Sequence, residues 1–96
     1  MQIENLIKNN KGTLVDVRSL EEYMGGNVVG SINIPLQELT TKVAELKGMK
    51  SPLILFCASG GRSGMATQMI GQLGIECCNA GSWLDVNYLK SQAKES

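Results

Sequence analysis

The chain has 96 residues, so we expect residues 1–96 to form a single domain with one modest hydrophobic core. Nine basic and nine acidic side chains give a formal net charge of zero, and their even distribution argues against nucleic-acid partners or a polybasic membrane anchor. The longest apolar stretch, Leu53 to Ala58, is far too short to span a membrane, and the first residues lack the features of a signal peptide. These properties predict a soluble protein.

Cysteine and histidine content limits the chemistry that the chain can perform. The three cysteines, Cys57, Cys77 and Cys78, form no C-x-x-C pair, and adjacent cysteines rarely join in a disulfide. A disulfide framework is not expected, and a reducing cytoplasm is the expected location. The chain contains no histidine, which excludes Cys–His dyads, Ser–His–Asp triads and most zinc sites. We expect neither a metal nor a cofactor, so any cysteine chemistry depends on the electrostatics around the thiol.

Helical and extended patterns alternate along the chain. They predict helices at residues 3–7, 19–23, 36–48 and 65–73, extended segments at 13–17, 28–34, 53–56 and 75–78, and a turn with a final helix over 81–90. Such alternation is typical of the α/β class with a mainly parallel sheet. Ligands of such sheets bind beyond the carboxyl ends of the strands, and Asp16 and Cys57 both lie at predicted strand ends. One edge of the sheet is therefore expected to hold both residues.

A glycine-rich segment after the 53–56 strand is the most informative part of the chain: Cys57-Ala58-Ser59-Gly60-Gly61-Arg62-Ser63-Gly64. Successive backbone N–H groups in such a turn and the positive end of the following helix converge on one point, where Arg62 adds a full charge. This environment lowers the pKa of a cysteine and attracts an anion to the sulfur. The segment predicts nucleophilic attack by the Cys57 thiolate on an anionic or sulfur-bearing substrate.

Several short motifs resemble, in order and spacing, those of a single-domain rhodanese: Asp16-Val17-Arg18, Glu22-Tyr23, Gly26-Asn27-Val28, Gly30-Ser31-Ile32-Asn33-Ile34-Pro35 and Cys57…Gly61-Arg62-Ser63. The resemblance implies a rhodanese-like three-layer domain, with helices on both faces of a mainly parallel sheet of four or five strands. It also implies a sulfurtransferase, in which Cys57 takes a sulfane sulfur from an anionic donor such as thiosulfate, becomes a persulfide, and passes the sulfur to a thiol or to cyanide. The expected partners are a small-molecule sulfur donor and a thiol acceptor, with a protein thiol or persulfide as a further kind of partner.

The resemblance also implies roles for the residues around the cysteine. The substrate-binding residues are expected to be Arg62 and the loop residues with inward backbone N–H groups, namely Ala58, Ser59, Gly60, Gly61 and Ser63. We expect Ser63 to cap the following helix as well. Arg62 either attracts the donor anion or braces the loop through a carboxylate. Asp16 and Arg18 are expected to support the loop.

The chain departs from the family pattern in two places. Asn27 stands where the family often has histidine, so we expect a hydrogen-bonding role there but not a titrating one. The family's closing pattern of two glycines and a tryptophan is only partly met by Ala80-Gly81-Ser82-Trp83, which leaves the register of the last helix open. Cys77 and Cys78 are expected to pack in the core from opposite faces of a strand, with a role in accepting sulfur as the alternative.

Two other functions are compatible with a reactive cysteine loop. Cysteine phosphatases and arsenate reductases have five residues between the cysteine and the arginine, whereas four separate Cys57 from Arg62. The shorter loop favours a terminal sulfur over a tetrahedral phosphate, which disfavours this alternative. A persulfide carrier or protein-interaction module, loaded by a partner protein and with little turnover alone, remains the second hypothesis.

Overall fold

The computed structural model describes residues 2–93, in which four strands alternate with helices. The elements are α1 (Ile3–Lys8), β1 (Thr13–Asp16), α2 (Leu20–Gly25), β2 (Ile32–Asn33), a 3-10 helix (Leu36–Thr41), α3 (Val43–Gly48), β3 (Leu53–Cys57), α4 (Gly61–Gly71), β4 (Cys77–Ser82) and α5 (Trp83–Ser91). Within residues 2–93, none of the helices has the length and apolar character that crossing a membrane requires.

The four strands form one parallel sheet with the order β2-β1-β3-β4. β3 lies inside the sheet, and all five of its residues are buried, as its continuous apolar sequence predicts. β1 ends at Asp16 and the neighbouring β3 ends at Cys57, so both residues lie at the same edge of the sheet. The α/β class and the parallel sheet predicted from the sequence are confirmed.

Helices cover both faces of this sheet and complete the predicted three layers. Because side chains alternate along a strand, Leu55 and Cys57 point to one face of β3, whereas Ile54 and Phe56 point to the other. The buried helical residues of the apolar cluster on the first face are Leu39, Leu46, Ala66 and Ile70, and those on the second are Ile7 and Val86. The Cys57 side chain therefore lies on the side of the sheet that α3 and α4 cover.

The helix predicted over residues 36–48 is divided into two pieces. The 3-10 helix and α3 are separated by Lys42, whose backbone (φ −122°, ψ 24°) is not helical. The Thr41 hydroxyl donates to the Glu38 carbonyl at 2.7 Å, and such local bonds compete with regular α-helical pairing. The prediction of one continuous helix is therefore wrong, although Leu39 and Leu46 both pack on the same face of the sheet, as their spacing predicts.

The last strand starts later and runs further than predicted. It spans Cys77–Ser82, and α5 follows it directly. A β-bulge explains the extension, because Leu55 pairs with Asn79 but the next residue, Phe56, pairs with Gly81. Gly81 has φ +82°, in the left-handed region that glycine favours, which is why this sequence looks like a turn. The predicted end of the strand at residue 78 is therefore wrong.

Candidate active site

The cysteine lies where β3 ends and the chain turns into α4. Residues 58–60 make the turn, and Gly60, which precedes the helix, has φ +102°. A side chain there would be strained and would come within 3.4 Å of the Cα of Gly81. The turn directs the Gly60 N–H to the Cys57 Sγ at 3.0 Å, and the Ser63 N–H approaches the same atom at 3.4 Å. The loop backbone thus forms a cradle around the sulfur.

The surroundings of Cys57 favour its thiolate form. The residue is only 1% exposed, and burial by itself raises the pKa of a thiol. The Ser63 hydroxyl and the backbone N–H groups of Ser63, Ser59 and Gly60 outweigh burial and lower the pKa of Cys57 to about 7. A large fraction of the molecules therefore carries a thiolate at neutral pH.

Arg62 is bound to a carboxylate of α2. Its Nη1 donates to Oε1 of Glu22 at 2.6 Å, and its Nη2 donates to Oε2 at 3.0 Å. The backbone N–H and the hydroxyl of Ser19 also donate to Oε1, which completes the predicted capping box of α2. Arg62 first and then Ser19 hold the pKa of Glu22 at about 2, and Glu22 in turn raises the pKa of Arg62. These contacts are the ones that a bracing role requires, while the guanidinium side chain is still 39% exposed. Both expected roles of Arg62, bracing the loop and attracting the donor, stay predictions.

Asp16 and Arg18 form a buried ion pair at the end of β1. The Arg18 Nε lies 3.0 Å from each carboxylate oxygen and its Nη2 lies 2.8 Å from Oδ2, with both side chains almost fully buried. The Nη2 also donates to the Gly26 carbonyl at 2.7 Å, and the guanidinium lies 4.5 Å from the ring centroid of Trp83. The pair thus joins β1 to the end of α2 and the start of α5. Support of the cysteine loop by these two residues stays a prediction.

Ser63 contacts the cysteine and does not cap α4. Gly60 holds the capping position, and Ser63 lies in the first turn of the helix, fully buried. The Ser63 Oγ lies 3.4 Å from the Cys57 Sγ and donates to the Asn79 Oδ1 at 2.7 Å. The predicted capping role is wrong because α4 begins at Gly61, before the serine is reached. The other loop residues, Ala58 and Ser59, are exposed.

Asn79 belongs to the site, although sequence reasoning missed it. Its Oδ1 accepts from the Ser63 hydroxyl and from the Gly81 N–H at 3.0 Å, and its Nδ2 donates to the Gly60 carbonyl at 3.2 Å. A signal was present, because asparagine is uncommon inside strands and here precedes an Ala-Gly pair. That signal indicates a turn or a bulge, but it does not indicate a contact with the cysteine loop.

The two departures from the family pattern are accommodated within the fold. Asn27 Nδ2 donates to the Tyr23 carbonyl at 2.9 Å near the end of α2, which agrees with the hydrogen-bonding role expected for it. Ala80 is the extra residue of the bulge in β4. Trp83 begins α5 and packs closely against Gly26. A Cβ on residue 26 would lie 3.0 Å from the Trp83 ring.

Cys77 and Cys78 pack on opposite faces of the sheet, as predicted. Cys77 packs against the apolar cluster that contains Cys57, whereas Cys78 packs against the cluster that α1 and α5 cover. Burial is the main cause that raises the pKa of both thiols. Their surroundings therefore favour the neutral thiol, in contrast to those of Cys57.

The parallel sheet with a cysteine loop at its carboxyl edge defines a rhodanese-like domain. A family model for the rhodanese-like domain matches residues 2–86, and the chain belongs to this family.

Individual relatives agree with this assignment. The chain is 39% identical over 64 residues to the uncharacterized protein YqhL of Bacillus subtilis, a match that covers 67% of this chain and 50% of YqhL. It is 34% identical over 74 residues to the thiosulfate sulfurtransferase PspE of Escherichia coli, covering 75% of this chain and 71% of PspE. The solved structure of the human single-domain sulfurtransferase TSTD1 is similar with a TM-score of 0.68 and 30% identity, covering 98% of this chain and 92% of that one. The chain thus spans about half the length of YqhL.

Proposed function

We propose that the protein is a sulfurtransferase, in which Cys57 carries a sulfane sulfur as a persulfide from an anionic donor to a thiol or to cyanide. The observation that carries the proposal is the cradle at the end of β3, where the Gly60 N–H, the Ser63 N–H and the Ser63 hydroxyl all lie within 3.4 Å of the Cys57 sulfur. Such a cradle stabilises a thiolate and suits the negative terminal sulfur of a persulfide. The similarity to PspE supports the proposal, because that relative is a thiosulfate sulfurtransferase.

In the first half-reaction, the Cys57 thiolate attacks the outer sulfur of a donor such as thiosulfate. An S–S bond to Cys57 forms while the donor's own S–S bond breaks, and the electron pair of the broken bond leaves with sulfite. The attack needs no neighbouring base, because a thiol with a pKa of about 7 is already about half ionised at neutral pH and more so above it. Since the sulfur is almost fully buried, a donor with a small terminal sulfur fits the site best.

In the second half-reaction, a thiolate or cyanide attacks the outer sulfur of the Cys57 persulfide. A bond between the acceptor and that sulfur forms, the S–S bond to Cys57 breaks, and the electron pair returns to Cys57 as a thiolate. The backbone N–H groups of Gly60 and Ser63 therefore serve a negative sulfur in the resting and in the loaded protein. The proposed partners are accordingly a small-molecule sulfur donor and a thiol acceptor.

The length of the loop supports sulfur transfer over phosphate chemistry. Four residues separate Cys57 from Arg62, and both terminal nitrogens of Arg62 are already bonded to Glu22. A phosphate or arsenate group needs room for a pentavalent transition state and donors for three oxygens. A short loop around a buried sulfur suits a single terminal atom better.

A persulfide carrier that is loaded by a partner protein is the second candidate. The exposure of the loop residues Ala58 and Ser59 beside the buried Cys57 favours it, because a partner protein can contact them directly. Rapid loading by a cysteine desulfurase together with slow loading by thiosulfate would distinguish the carrier from an enzyme that acts alone.

For either function we propose a cytoplasmic location, because the three cysteines are free thiols. We also propose one domain over residues 1–96, because the four strands within residues 2–93 form one sheet.

Intact-protein mass spectrometry after brief exposure to thiosulfate tests the proposed function. We expect the wild type to gain the mass of one sulfur atom and to lose it again on treatment with cyanide. A Cys57→Ser variant with an unchanged circular dichroism spectrum serves as the matched control and should gain nothing. A gain in that variant would contradict the role of Cys57, and no gain in the wild type would favour the carrier. Hydrolysis of an aryl phosphate by the wild type, lost in Cys57→Ser, would instead support the phosphatase alternative.

A further inference from the structure

The hydroxyl of Ser63 lies between two groups that both accept hydrogen bonds. Its oxygen is 2.7 Å from the Asn79 Oδ1 and 3.4 Å from the Cys57 Sγ, and the serine is fully buried in the first turn of α4. A hydroxyl has one proton to donate. The Ser63 proton can therefore serve the amide oxygen or the sulfur, but not both at once.

The orientation of the Asn79 amide follows from its other two partners. The Gly81 N–H can only donate, and it lies 3.0 Å from the Asn79 Oδ1, so this position must be the oxygen. The Gly60 carbonyl can only accept, and it lies 3.2 Å from the Nδ2. With both ends of the amide assigned in this way, the side of Asn79 that faces Ser63 is an acceptor.

The protonation state of Cys57 decides which acceptor the Ser63 proton meets. When Cys57 is a thiol, its S–H donates to the Ser63 oxygen, and the Ser63 hydroxyl donates to Asn79. When Cys57 is a thiolate, a lone pair of Ser63 directed at the sulfur would be repulsive, so the hydroxyl turns toward the sulfur. Of the two donors to the Asn79 oxygen described above, the Gly81 N–H then remains. Ionisation of Cys57 therefore costs the Ser63–Asn79 hydrogen bond.

We infer that Asn79 is a positioning residue that competes with the Cys57 thiolate for the proton of Ser63 while it holds the Gly60 carbonyl in place. Asn79 acts on the sulfur through Ser63 and has no direct contact with it among the hydrogen bonds of residues 2–93. The inference deepens the proposed function, on which its catalytic meaning rests. The inference concerns the ionisation of Cys57, which can be measured whether or not the protein transfers sulfur.

Charged groups from other elements also act on Cys57 and must be kept constant in any test. Arg62 interacts electrostatically with Cys57, and Glu22 on α2 and Asp16 at the end of β1 interact in turn with Arg62. Cys77 on β4 packs in the same apolar cluster, and burial keeps it neutral at higher pH than Cys57. A double-mutant cycle leaves these groups unchanged in all four proteins, so their contributions cancel.

The cycle consists of the wild type, Ser63→Ala, Asn79→Leu and the double variant. Leu keeps the Cγ branching and the heavy-atom count of the Asn side chain, and it removes both hydrogen-bonding ends of the amide. The measured quantity is the rate at which iodoacetamide alkylates Cys57 as a function of pH. Mass spectrometry of the peptide that contains Cys57 separates this reaction from alkylation of Cys77 and Cys78. The two proteins that carry Asn79→Leu both lose the hydrogen bonds to Gly60 and Gly81. The effect of this loss cancels between the two backgrounds, so the cycle measures only the interaction between Asn79 and Ser63.

We expect Asn79→Leu to raise the alkylation rate near pH 6 about threefold more when Ser63 is present than when it is alanine, equivalent to about half a pKa unit. Equal effects in the two backgrounds would overturn the inference, because Asn79 would then act only by bracing the loop. A larger rise in the alanine background would overturn it as well.

Asn79→Ala replaces Asn79→Leu in the same cycle if circular dichroism shows that leucine disturbs the fold. Because alkylation needs no sulfur donor, the outcome is independent of the thiosulfate experiment. Failure of sulfur loading with a clear coupling would reject the proposed function alone, whereas loading without coupling would reject only the role of Asn79.

Discussion

The guanidinium of Arg62 and the carboxylate of Glu22 meet in a two-bond ion pair across 40 residues of sequence, with N–O distances of 2.6 and 3.0 Å. This pair ties the first turn of α4, and with it the cysteine loop, to the first turn of α2. It also means that an anionic donor meets an arginine whose charge is already partly neutralised. The two roles considered for Arg62, attraction of the donor and bracing of the loop, therefore call for different experimental results.

Arg62→Ala and Glu22→Gln together separate the two roles. If Arg62 attracts the donor, Arg62→Ala should lower kcat/KM for thiosulfate about 10- to 100-fold, the value of a charge-assisted hydrogen bond, and affect the acceptor step less. Glu22→Gln keeps the arginine charge and should retain or improve donor capture. Single-turnover measurement of the two half-reactions checks this. Equal losses in both variants and in both steps would assign Arg62 to bracing alone.

The same ion pair predicts a loss of stability in acid. Because the folded protein holds the pKa of Glu22 at about 2, below its ordinary value of 4.5, the pair stabilises the fold above pH 4.5 and loses this effect as the pH falls through 2. Glutamine preserves the capping box but not the charge. Since both side chains are more than a third exposed, Glu22→Gln should cost only about 1 kcal/mol at neutral pH. Urea unfolding at several pH values should show the difference shrinking below pH 4.5, and a constant difference would contradict the prediction.

The backbone conformation of the cysteine loop should affect both the stability of the fold and the reactivity of Cys57. Gly60 has φ +102° and donates its N–H to the Cys57 sulfur, whereas Gly30 has φ +85° in open space away from the loop. Alanine at either position should cost about 1–2 kcal/mol through left-handed strain. Because relief of this strain turns the residue 60 N–H away from the sulfur, Gly60→Ala should in addition raise the pKa of Cys57 and slow its alkylation at neutral pH by about threefold or more. Equal alkylation rates in the two variants, measured beside urea unfolding, would contradict a role of the Gly60 N–H.

The features predicted correctly from the sequence are those that depend on neighbouring residues. The apolar run of β3 predicts a doubly buried strand, and the Ser19–Glu22 spacing predicts a capping box; both are present. The glycines after Cys57 predict a turn whose N–H groups face the sulfur, and Gly60 provides one of them. In each case the physical cause lies within a few residues of its effect.

The features that were missed depend on partners far away in the sequence. Asn79 reaches the cysteine loop only because β4 pairs with β3 and carries a bulge at that point, which no local pattern shows. The sequence predicts too early an end of β4 for the same reason, since Gly81 looks like a turn until its pairing with Phe56 is known. The prediction that Ser63 caps α4 is wrong because Gly60, with its left-handed backbone, takes the capping position.

Removing one partner of the buried ion pair at the end of β1 should strongly destabilise the fold. Asp16→Asn leaves the Arg18 charge buried without its partner, which should cost about 3–5 kcal/mol. Asp85→Asn, at an exposed position in the first turn of α5, is the matched control and should cost less than about 1 kcal/mol. Urea unfolding at neutral pH checks both values. A similar small cost for the two variants would contradict the importance of the buried pair.

Sulfur loading of Cys57 should follow the ionisation of its thiol. Because the pKa of Cys57 is about 7, the loading rate with thiosulfate should rise with pH through about 7 and reach a plateau above it. The lowered pKa of Cys57 also makes the stability of the fold depend on pH. The folded state gains stability over the unfolded state as the pH rises from 7 to 9, keeps all of it above 9, and loses it as the pH falls through 7. Cys57→Ser should lack this rise in urea unfolding. A loading profile that levels off only near pH 9, with no rise in wild-type stability, would show that the cradle does not stabilise the thiolate.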